Sequence, residues 1–215
     1  MRKNIYVVGG NGFARECYAY INRVSELKDK EIIFAGFLGE GGYVPNLEDY
    51  PNMYKGDMSN FTFSEDDYVV IGSGDPLIRK RIYEYLKGKG VKFYTLIDPT
   101  TIIFPHSEIG EANIFVKGCI ISSQTKIGNG NLFNGDNSIG HDVVIGDFNF
   151  LAPGVQMLGH SILGDLNSVG TSSVVLPNAK VGNRNKIAPI SAIYTRCKDN
   201  GIYMGNPARK MGEVE

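Results

Sequence analysis

The sequence lacks the features that mark several large classes of protein. It has no tryptophan, only three cysteines and three histidines among 215 residues, and 22 Lys and Arg nearly balance 23 Asp and Glu. A net charge of -1 gives no general electrostatic attraction to nucleic acids or to anionic membrane surfaces. The composition therefore predicts no nucleic-acid partner and no membrane partner.

The cysteines and the apolar runs also exclude classes. Cys17, Cys119 and Cys197 are too few and too scattered for a disulfide framework or a zinc knuckle, and they are typical of reduced thiols in a cytosol. No apolar run approaches the length of a membrane span. The apolar stretch at residues 5–8 is too short for a signal peptide. We expect a cytoplasmic protein.

Glycine, in contrast, is abundant, with 27 residues, and an internal repeat accounts for much of it. Every sixth residue from Ile97 to Ile193 is apolar. Chance would give such a run about once in a million, at a background of roughly 0.45 apolar residues per position. Glycine and asparagine recur every 18 residues on top of this period, at Gly110, Gly128, Gly146, Gly164 and Gly182 and at Asn113, Asn131, Asn149, Asn167 and Asn185.

Because eighteen residues are three hexads, the repeat predicts a triangular coil with three short strands per turn over residues 97–195. The apolar residue of each hexad points inward, and glycine relieves a close contact at a corner. The asparagines fit either a left-handed backbone conformation or a stacked amide ladder. An all-β sandwich is the alternative, but its strands would vary in length and lose the phase of the repeat.

Residues 1–96 follow a different pattern, in which buried strands alternate with helices. Residues 5–8, 32–37, 68–71 and 91–96 are predicted strands, and residues 13–24 and 76–87 are predicted helices. Residues 38–66 are rich in turn residues and hold at most one short element. This alternation predicts a small parallel sheet of Rossmann type. Residues 196–215 form a C-terminal tail outside the repeat.

Several motifs along nearly the whole chain carry a resemblance to a known family. They are the strand and glycine turn at the start, residues 71–83, the hexapeptide repeat, the ending Gly-Asn-Pro-Ala-Arg at 205–209 and, most specific, Ile-Gly-His-Asp-Val-Val-Ile-Gly at 139–146. In these motifs the chain resembles the sialic-acid O-acetyltransferase type of sugar acyltransferase, and most closely the N-acetyltransferases of nucleotide-linked 4-amino sugars. The resemblance implies a left-handed parallel β-helix, a homotrimer, and acetyl-CoA bound between neighbouring β-helices.

The resemblance also assigns catalytic roles to individual residues. His141 corresponds to the catalytic base, and Asp142 stands where the family has Glu, a longer carboxylate. A histidine base suits acyl transfer to an amine, since it accepts the proton as the nitrogen attacks. Gly159 corresponds to a backbone N–H donor for the thioester oxyanion. Asn134 either contacts the acceptor sugar, as the resemblance implies, or is a corner asparagine.

Other residues are implied in acetyl-CoA binding. Phe150, His160, Thr171 and Pro189 correspond to positions that line the coenzyme cleft, whereas His106 is expected to be a structural or surface residue. Basic residues also cluster late in the chain, where they either meet the phosphates of CoA or form a solvated basic face. They are Arg184, Lys186, Arg196, Arg209 and Lys210.

The acceptor is expected at the glycine turn of the first unit. Peptide N–H groups at a strand-to-helix turn attract phosphate, and the family uses this turn for the nucleotide of its sugar substrate. The candidate residues are Gly10, Asn11, Gly12 and Phe13, with Ser73 and Asp75 at the end of the third strand as weaker candidates. The turn lacks a third glycine at Arg15, and the residues after the second strand, read as 35–38, contain no acid. A tight turn without a ligand is therefore the alternative.

Together these features divide the chain into an acceptor-binding subdomain at 1–96, an acyltransferase β-helix at 97–195 and the tail. They predict an acetyl-CoA-dependent N-acetyltransferase of a nucleotide-linked 4-amino sugar, used in bacterial surface glycan synthesis, with no metal cofactor. A sugar O-acetyltransferase and a non-catalytic sugar-nucleotide-binding scaffold are the alternatives. A metal-dependent hydratase of the γ-carbonic anhydrase kind needs a close histidine pair, which the spacing of His141 and His160 does not suggest. A nicotinamide-dependent dehydrogenase is disfavoured by the incomplete glycine motif.

Overall fold

The computed structural model describes residues 2–9, 12–41, 50 and 52–214. The chain divides into two compact units, Met1–Pro99 and Thr100–Glu215. Among the described residues, no helix has the length and apolar character needed to cross a membrane.

The N-terminal unit is an α/β sheet with two helices. Its elements are β1 (Lys3–Val8), α1 (Gly12–Leu27), β2 (Ile32–Gly39), β3 (Tyr54–Asp57), β4 (Asp67–Ile71), α2 (Pro76–Gly88), β5 (Lys92–Phe93) and β6 (Leu96–Ile97). The strands pair in the order β3-β2-β1-β4-β5, and every pair is parallel. The predicted parallel sheet of Rossmann type is confirmed.

Burial follows the apolar pattern of these elements. The central strands β1 and β4 contribute Ile5, Val7 and Val69 to the core, and each is fully buried. In α1, the residues buried against the sheet recur at helical spacing; they are Ala14, Cys17, Ile21 and Val24. Several element boundaries differ from the sequence prediction; for example, β1 begins at Lys3 and α1 continues to Leu27. The strand predicted at 91–96 is two short strands, since pairing with β4 ends at Phe93, and β2 continues two residues further, to Gly39.

The C-terminal unit is a left-handed parallel β-helix, as the repeat and the resemblance predicted. Its strands are two residues long and start every six residues from Ile102 to Ala192. In order, β7 to β23 are Ile102–Ile103, Glu108–Ile109, Ile114–Phe115, Ile120–Ile121, Lys126–Ile127, Leu132–Phe133, Ser138–Ile139, Val144–Ile145, Phe150–Leu151, Gln156–Met157, Ile162–Leu163, Ser168–Val169, Val174–Val175, Lys180–Val181, Lys186–Ile187, Ala192–Ile193 and Arg196–Cys197.

Each strand pairs in parallel with the strand one coil later, so the β-helix has three faces. The first face contains β7, β10, β13, β16, β19 and β22, and the second contains β8, β11, β14, β17, β20 and β23. The third face runs from β9 through β12, β15, β18 and β21 to the hairpin of β24 (Gly201–Gly205) and β25 (Ala208–Glu213). The alternative of an all-β sandwich is wrong. Pairing also continues beyond residue 195, because β23 pairs with β20 and β24 with β21.

The hexad residues form the interior of the β-helix. From Phe115 to Ile193, every residue of the series is buried, and the rings of Phe115 and Phe133 stack with centroids 4.6 Å apart. The glycine series lies at the corner after the second face. A Cβ on Gly146 would collide with the side chain of Asp165 and with Gly164 in the next coil, so these glycines permit close approach of successive coils.

The asparagine series forms the stacked ladder, one of the two arrangements considered from sequence. Each side-chain carbonyl accepts from both the backbone N–H and the side-chain amide of the asparagine one coil later. For Asn131 and Asn149 these distances are 2.8 and 3.0 Å. The ladder runs from Asn113 through Asn131, Asn149 and Asn167 to Asn185. There the N–H of Gly201 donates to the side-chain carbonyl of Asn185. Amides buried in this way are satisfied by one another.

Candidate functional site

The strongest group of candidate residues lies at the corner after the first face, on two successive coils. His141 and Asp142 follow β13, and Gly159 and His160 follow β16. Since β13 pairs with β16 in register, Gly159 stacks on His141 and His160 stacks on Asp142. Asp142 and His160 both adopt the left-handed backbone conformation, with φ of 58° and 59°.

The carboxylate of Asp142 reaches the imidazole of His141. The distance from His141 Nδ1 to Asp142 Oδ2 is 2.8 Å, and the His141 side chain is 61% exposed. Asp142 therefore reaches the imidazole, although its side chain is shorter than the Glu expected at this position. A neutral imidazole that donates its Nδ1–H to this carboxylate carries a free lone pair on Nε2, which is the state a general base requires.

Gly159 provides the space that the imidazole occupies. A Cβ on Gly159 would lie 2.8 Å from both Cε1 and Nε2 of His141, well inside van der Waals contact. Among the residues that the structure describes, the N–H of Gly159 donates no hydrogen bond. A backbone donor is thus available beside the ring nitrogen that would accept a proton.

His160 lies close to the same carboxylate from the other side. Its Nδ1 is 4.0 Å from Asp142 Oδ2, and the two imidazole rings meet edge to face with centroids 5.1 Å apart. The N–H of His160 donates to the carbonyl of His141 at 3.1 Å. The inference that the spacing gives no close histidine pair is therefore wrong, because a coil of eighteen residues brings positions 142 and 160 together. One ligand atom from each of His141, Asp142 and His160 falls within 4.8 Å of the others, as a metal site would require.

The other candidates of the β-helix lie elsewhere on it. Asn134, Thr171 and Pro189 are at the corner after the third face, on the opposite edge of the first face from His141. The side-chain oxygen of Asn134 accepts the N–H of Gly135 at 2.9 Å. Phe150, half-buried, lies on β15 in the third face. Within this unit, His160 therefore lies beside His141, whereas Asn134, Phe150, Thr171 and Pro189 lie at a different corner or on the third face.

The basic candidates lie near the C-terminal end of the β-helix. Arg209 is exposed on β25 and lines a cavity of about 340 Å³ with Arg196 and Tyr203. Arg196 also lines a second cavity of about 620 Å³, together with Lys180 and Lys198. The remaining basic candidates, Arg184, Lys186 and Lys210, are exposed, and Lys210 forms an ion pair with Glu213 at 2.7 Å.

In the N-terminal unit, candidates meet at the carboxyl edge of the sheet, where β1 and β4 end side by side. Gly12 and Phe13 are the first residues of α1, whereas Gly10 and Asn11 lie outside the described residues. Ser73 is buried, and its hydroxyl accepts the N–H of Asp75. Asp75 caps α2, since its carboxylate accepts the N–H groups of Leu77 and Ile78 at 2.9 and 3.0 Å. Capping is a structural task that accounts for this aspartate without a ligand.

Sequence reasoning missed two charged residues at the same edge. Arg79 is fully buried in α2 and donates from one terminal nitrogen to the carbonyls of Ile71 and Ser73 at 2.6 and 3.0 Å. Burial lowers the pKa of this guanidinium to about 10. Glu40 directly follows β2 and accepts from Arg81 Nε at 2.9 Å. An acid does therefore follow the second strand, two residues beyond the segment read from sequence.

Comparison with known proteins identifies relatives in fold. No protein-family profile matches the sequence, and no curated protein is similar enough to serve as a relative. Among solved structures, the acetyltransferase domain of PglB from Neisseria gonorrhoeae FA1090 is 19% identical, with a TM-score of 0.84 over 98% of this chain and 100% of that one.

Two further structures are similar along almost their whole length. A mutant of perosamine N-acetyltransferase from Caulobacter crescentus, in complex with CoA and GDP-perosamine, is 17% identical, with a TM-score of 0.80 over 98% of this chain and 97% of that one. WeeI from Acinetobacter baumannii AYE is 22% identical, with a TM-score of 0.80 over 97% of this chain and 100% of that one. At these identities the likeness establishes the fold, a parallel α/β unit followed by a left-handed β-helix, which this chain shares from end to end with all three.

Proposed function

We propose that the protein is an acetyl-CoA-dependent N-acetyltransferase that acts on the amine of a nucleotide-linked 4-amino sugar, in the synthesis of a bacterial surface glycan. The observation that carries the proposal is the corner of His141, Asp142 and Gly159. An exposed imidazole is held by a carboxylate at 2.8 Å, and its other nitrogen lies over a glycine with a free backbone N–H. A fold that is also seen in an N-acetyltransferase complex with CoA and GDP-perosamine supports the same assignment.

The proposed reaction uses each of these groups once. The sugar amine attacks the carbonyl carbon of the thioester while Nε2 of His141 takes a proton from the nitrogen. Asp142 keeps Nδ1 protonated and stabilises the imidazolium that forms. The backbone N–H of Gly159 donates to the oxyanion of the tetrahedral intermediate. The intermediate collapses with cleavage of the C–S bond, the imidazolium returns its proton to the thiolate, and CoA and the acetamido sugar leave.

The remaining candidates are assigned to binding. The nucleotide is proposed to bind at the carboxyl edge of the N-terminal sheet, near Gly12, Phe13 and Ser73, where parallel strands end. Contacts to CoA are assigned to Phe150, His160, Thr171, Pro189 and Arg209, with the coenzyme between neighbouring copies of a homotrimer. Asn134 is assigned to the acceptor sugar.

A thiol-release assay tests the proposal. Acetyl-CoA is combined with UDP-, GDP- and dTDP-linked 4-amino sugars, and free CoA is measured together with the mass of the sugar product. A mass increase of one acetyl group on the amine, with one equivalent of CoA, is expected for one of the nucleotides. Acetylation of a hydroxyl would favour the O-acetyltransferase alternative. Binding of a nucleotide sugar without any CoA release would favour the scaffold.

A further inference from the structure

The corner that carries His141 has a second chemical capacity, which the transfer reaction does not use. His141, Asp142 and His160 each present one ligand atom, and these atoms lie within 4.8 Å of one another. We propose that these three residues bind a divalent transition-metal ion, Zn²⁺ above all, and that the bound ion inhibits the transferase. The binding site stands on the geometry alone, whereas the inhibition rests on the proposed function.

The distances suit a tetrahedral ion after small side-chain rotations. Zinc binds imidazole nitrogen and carboxylate oxygen at roughly 2.0–2.2 Å, so two ligand atoms of a tetrahedral site are about 3.3 Å apart. The two measured separations lie on either side of this value. Asp142 Oδ2 is 2.8 Å from His141 Nδ1 and 4.0 Å from His160 Nδ1. Two imidazoles and one carboxylate are a ligand set that zinc accepts, with the fourth position left to water.

The backbone fixes the three residues while their side chains remain free to turn. The N–H of Asp142 donates to Ser123 and that of His160 to His141, at 3.2 and 3.1 Å, as part of the β-helix ladder. The side chains are 61%, 37% and 58% exposed for His141, Asp142 and His160. An ion can therefore reach them from solvent. The three cysteines, which could otherwise compete for zinc, are buried.

The bound ion would remove the base by fixing the wrong tautomer. Nδ1 of His141 lies 2.8 Å from Oδ2 of Asp142. In the neutral tautomer that donates Nδ1–H to this carboxylate, Nε2 is free to accept a proton. An ion bound to Nδ1 moves the ring proton to Nε2, because a neutral imidazole has only one N–H. Nε2 is then a donor and cannot deprotonate the sugar amine. The same ion also draws the carboxylate of Asp142 away from the ring.

A matched pair of histidine variants tests the binding. His106 and His160 occupy the same corner of the β-helix, three coils apart, and both have the left-handed backbone conformation, with φ of 64° and 59°. Asparagine suits this conformation and is a poor zinc ligand. The tag-free protein is titrated with Zn²⁺ by calorimetry and with Co²⁺ by visible absorption. We expect one ion per chain, at least tenfold weaker binding for His160→Asn and His141→Asn, and unchanged binding for His106→Asn.

The outcomes separate this proposal from the proposed function. Equal Zn²⁺ binding by the parent protein and by His160→Asn would overturn the site, provided that thermal unfolding shows both proteins to be folded. So would the absence of binding to the parent. If the site binds zinc and the thiol-release assay is active, Zn²⁺ should inhibit it and EDTA should restore the rate. Binding without any transferase activity would contradict the proposed function and leave the metal site standing.

Discussion

At the scale of single residues, the proposed reaction depends on the imidazole of His141 and on Gly159, which lies against it. His141 is the histidine whose ring is both exposed and hydrogen-bonded to a carboxylate. Replacing it with alanine removes the proposed proton acceptor, and a general base contributes roughly 10²–10⁴ in rate. We expect His141→Ala to lower kcat at least about a hundredfold in the thiol-release assay, with the thermal unfolding midpoint nearly unchanged.

The control for this prediction is His106→Ala. His106 is on the same corner of the β-helix but is outside the proposed site, so this variant should keep the kcat of the parent. Near-normal turnover by His141→Ala would remove His141 as the base, and a comparable loss in His106→Ala would show that the assay reports a general effect of substitution.

Gly159 is predicted to act through the space it leaves. Its alanine variant would place a methyl group 2.8 Å from Cε1 and Nε2 of His141, which forces the ring to turn away from the reacting position. We expect Gly159→Ala to lower kcat by about tenfold or more, since misplacement of a catalytic group by an ångström is costly. The matched control is Gly135→Ala, another corner glycine, whose added Cβ would meet its nearest atom at 3.6 Å. Equal kcat for the two variants would contradict the steric role.

The sequence alone indicates some of the candidate site residues and misses others. The motif around His141 led to the proposal that this residue is the base, which stays a prediction. The contact of Asp142 with His160 follows from the 18-residue coil, although the nineteen-residue separation of the two histidines had suggested no pairing. Glu40 was missed because the sequence pattern predicts the end of β2 at Phe37, two residues before the strand ends in the structure. Arg79 could not be recognised, since nothing in a helical sequence distinguishes a buried arginine from an exposed one until the packing of the strand ends is known.

At the scale of elements, the repeat determines most of the fold. A hexad with one apolar residue can bury that residue only if the coils stack in register, so period and architecture are tied together. The strand pairs confirm this, as Ser138 lies opposite Gln156 and Ile139 opposite Met157. The N-terminal unit was predicted less sharply. Strand ends there depend on pairing with neighbours, as at Phe93, and local sequence does not contain that information.

The asparagine ladder is predicted to stabilise the β-helix measurably. Asn149 is fully buried, donates two hydrogen bonds to Asn131 and accepts two from Asn167. Its removal leaves buried amide groups unsatisfied, at a cost of about 1–3 kcal/mol for each group. We expect Asn149→Ala to lower the unfolding midpoint by roughly 5–15 °C, since about 1 kcal/mol corresponds to 2–4 °C at this chain length.

The control for the ladder is an exposed amide on a neighbouring coil. Gln156 is exposed on β16, so Gln156→Ala removes an amide without leaving a buried group unpaired. Calorimetric unfolding of both variants should show a large shift for Asn149→Ala and a shift within about 2 °C for Gln156→Ala. Similar shifts would mean that the ladder contributes no more than an ordinary surface amide.

At the scale of the whole molecule, the positions of the candidate residues favour an assembly of several chains. His141 lies at the corner after the first face, whereas Thr171 and Pro189 lie at the corner after the third. These corners bound opposite edges of the first face. If one acetyl-CoA contacts all three residues, the histidine and the coenzyme-binding corner belong to different chains. In a trimer of β-helices around a threefold axis, each interface can bring His141 of one chain next to the Thr171 corner of its neighbour.

Mixing two inactive variants tests this arrangement. Light scattering of the parent should first give three times the chain mass of 23.6 kDa. His141→Ala lacks the base, and Thr171→Trp is expected to block the coenzyme while its own His141 stays intact. In trimers assembled from equal amounts of both chains, about a quarter of the sites pair an intact histidine with an intact Thr171 corner. Co-expression should therefore restore roughly a quarter of the parent rate, whereas each variant alone stays inactive. If trimers that contain both variants remain inactive, the histidine and the coenzyme of one site belong to the same chain.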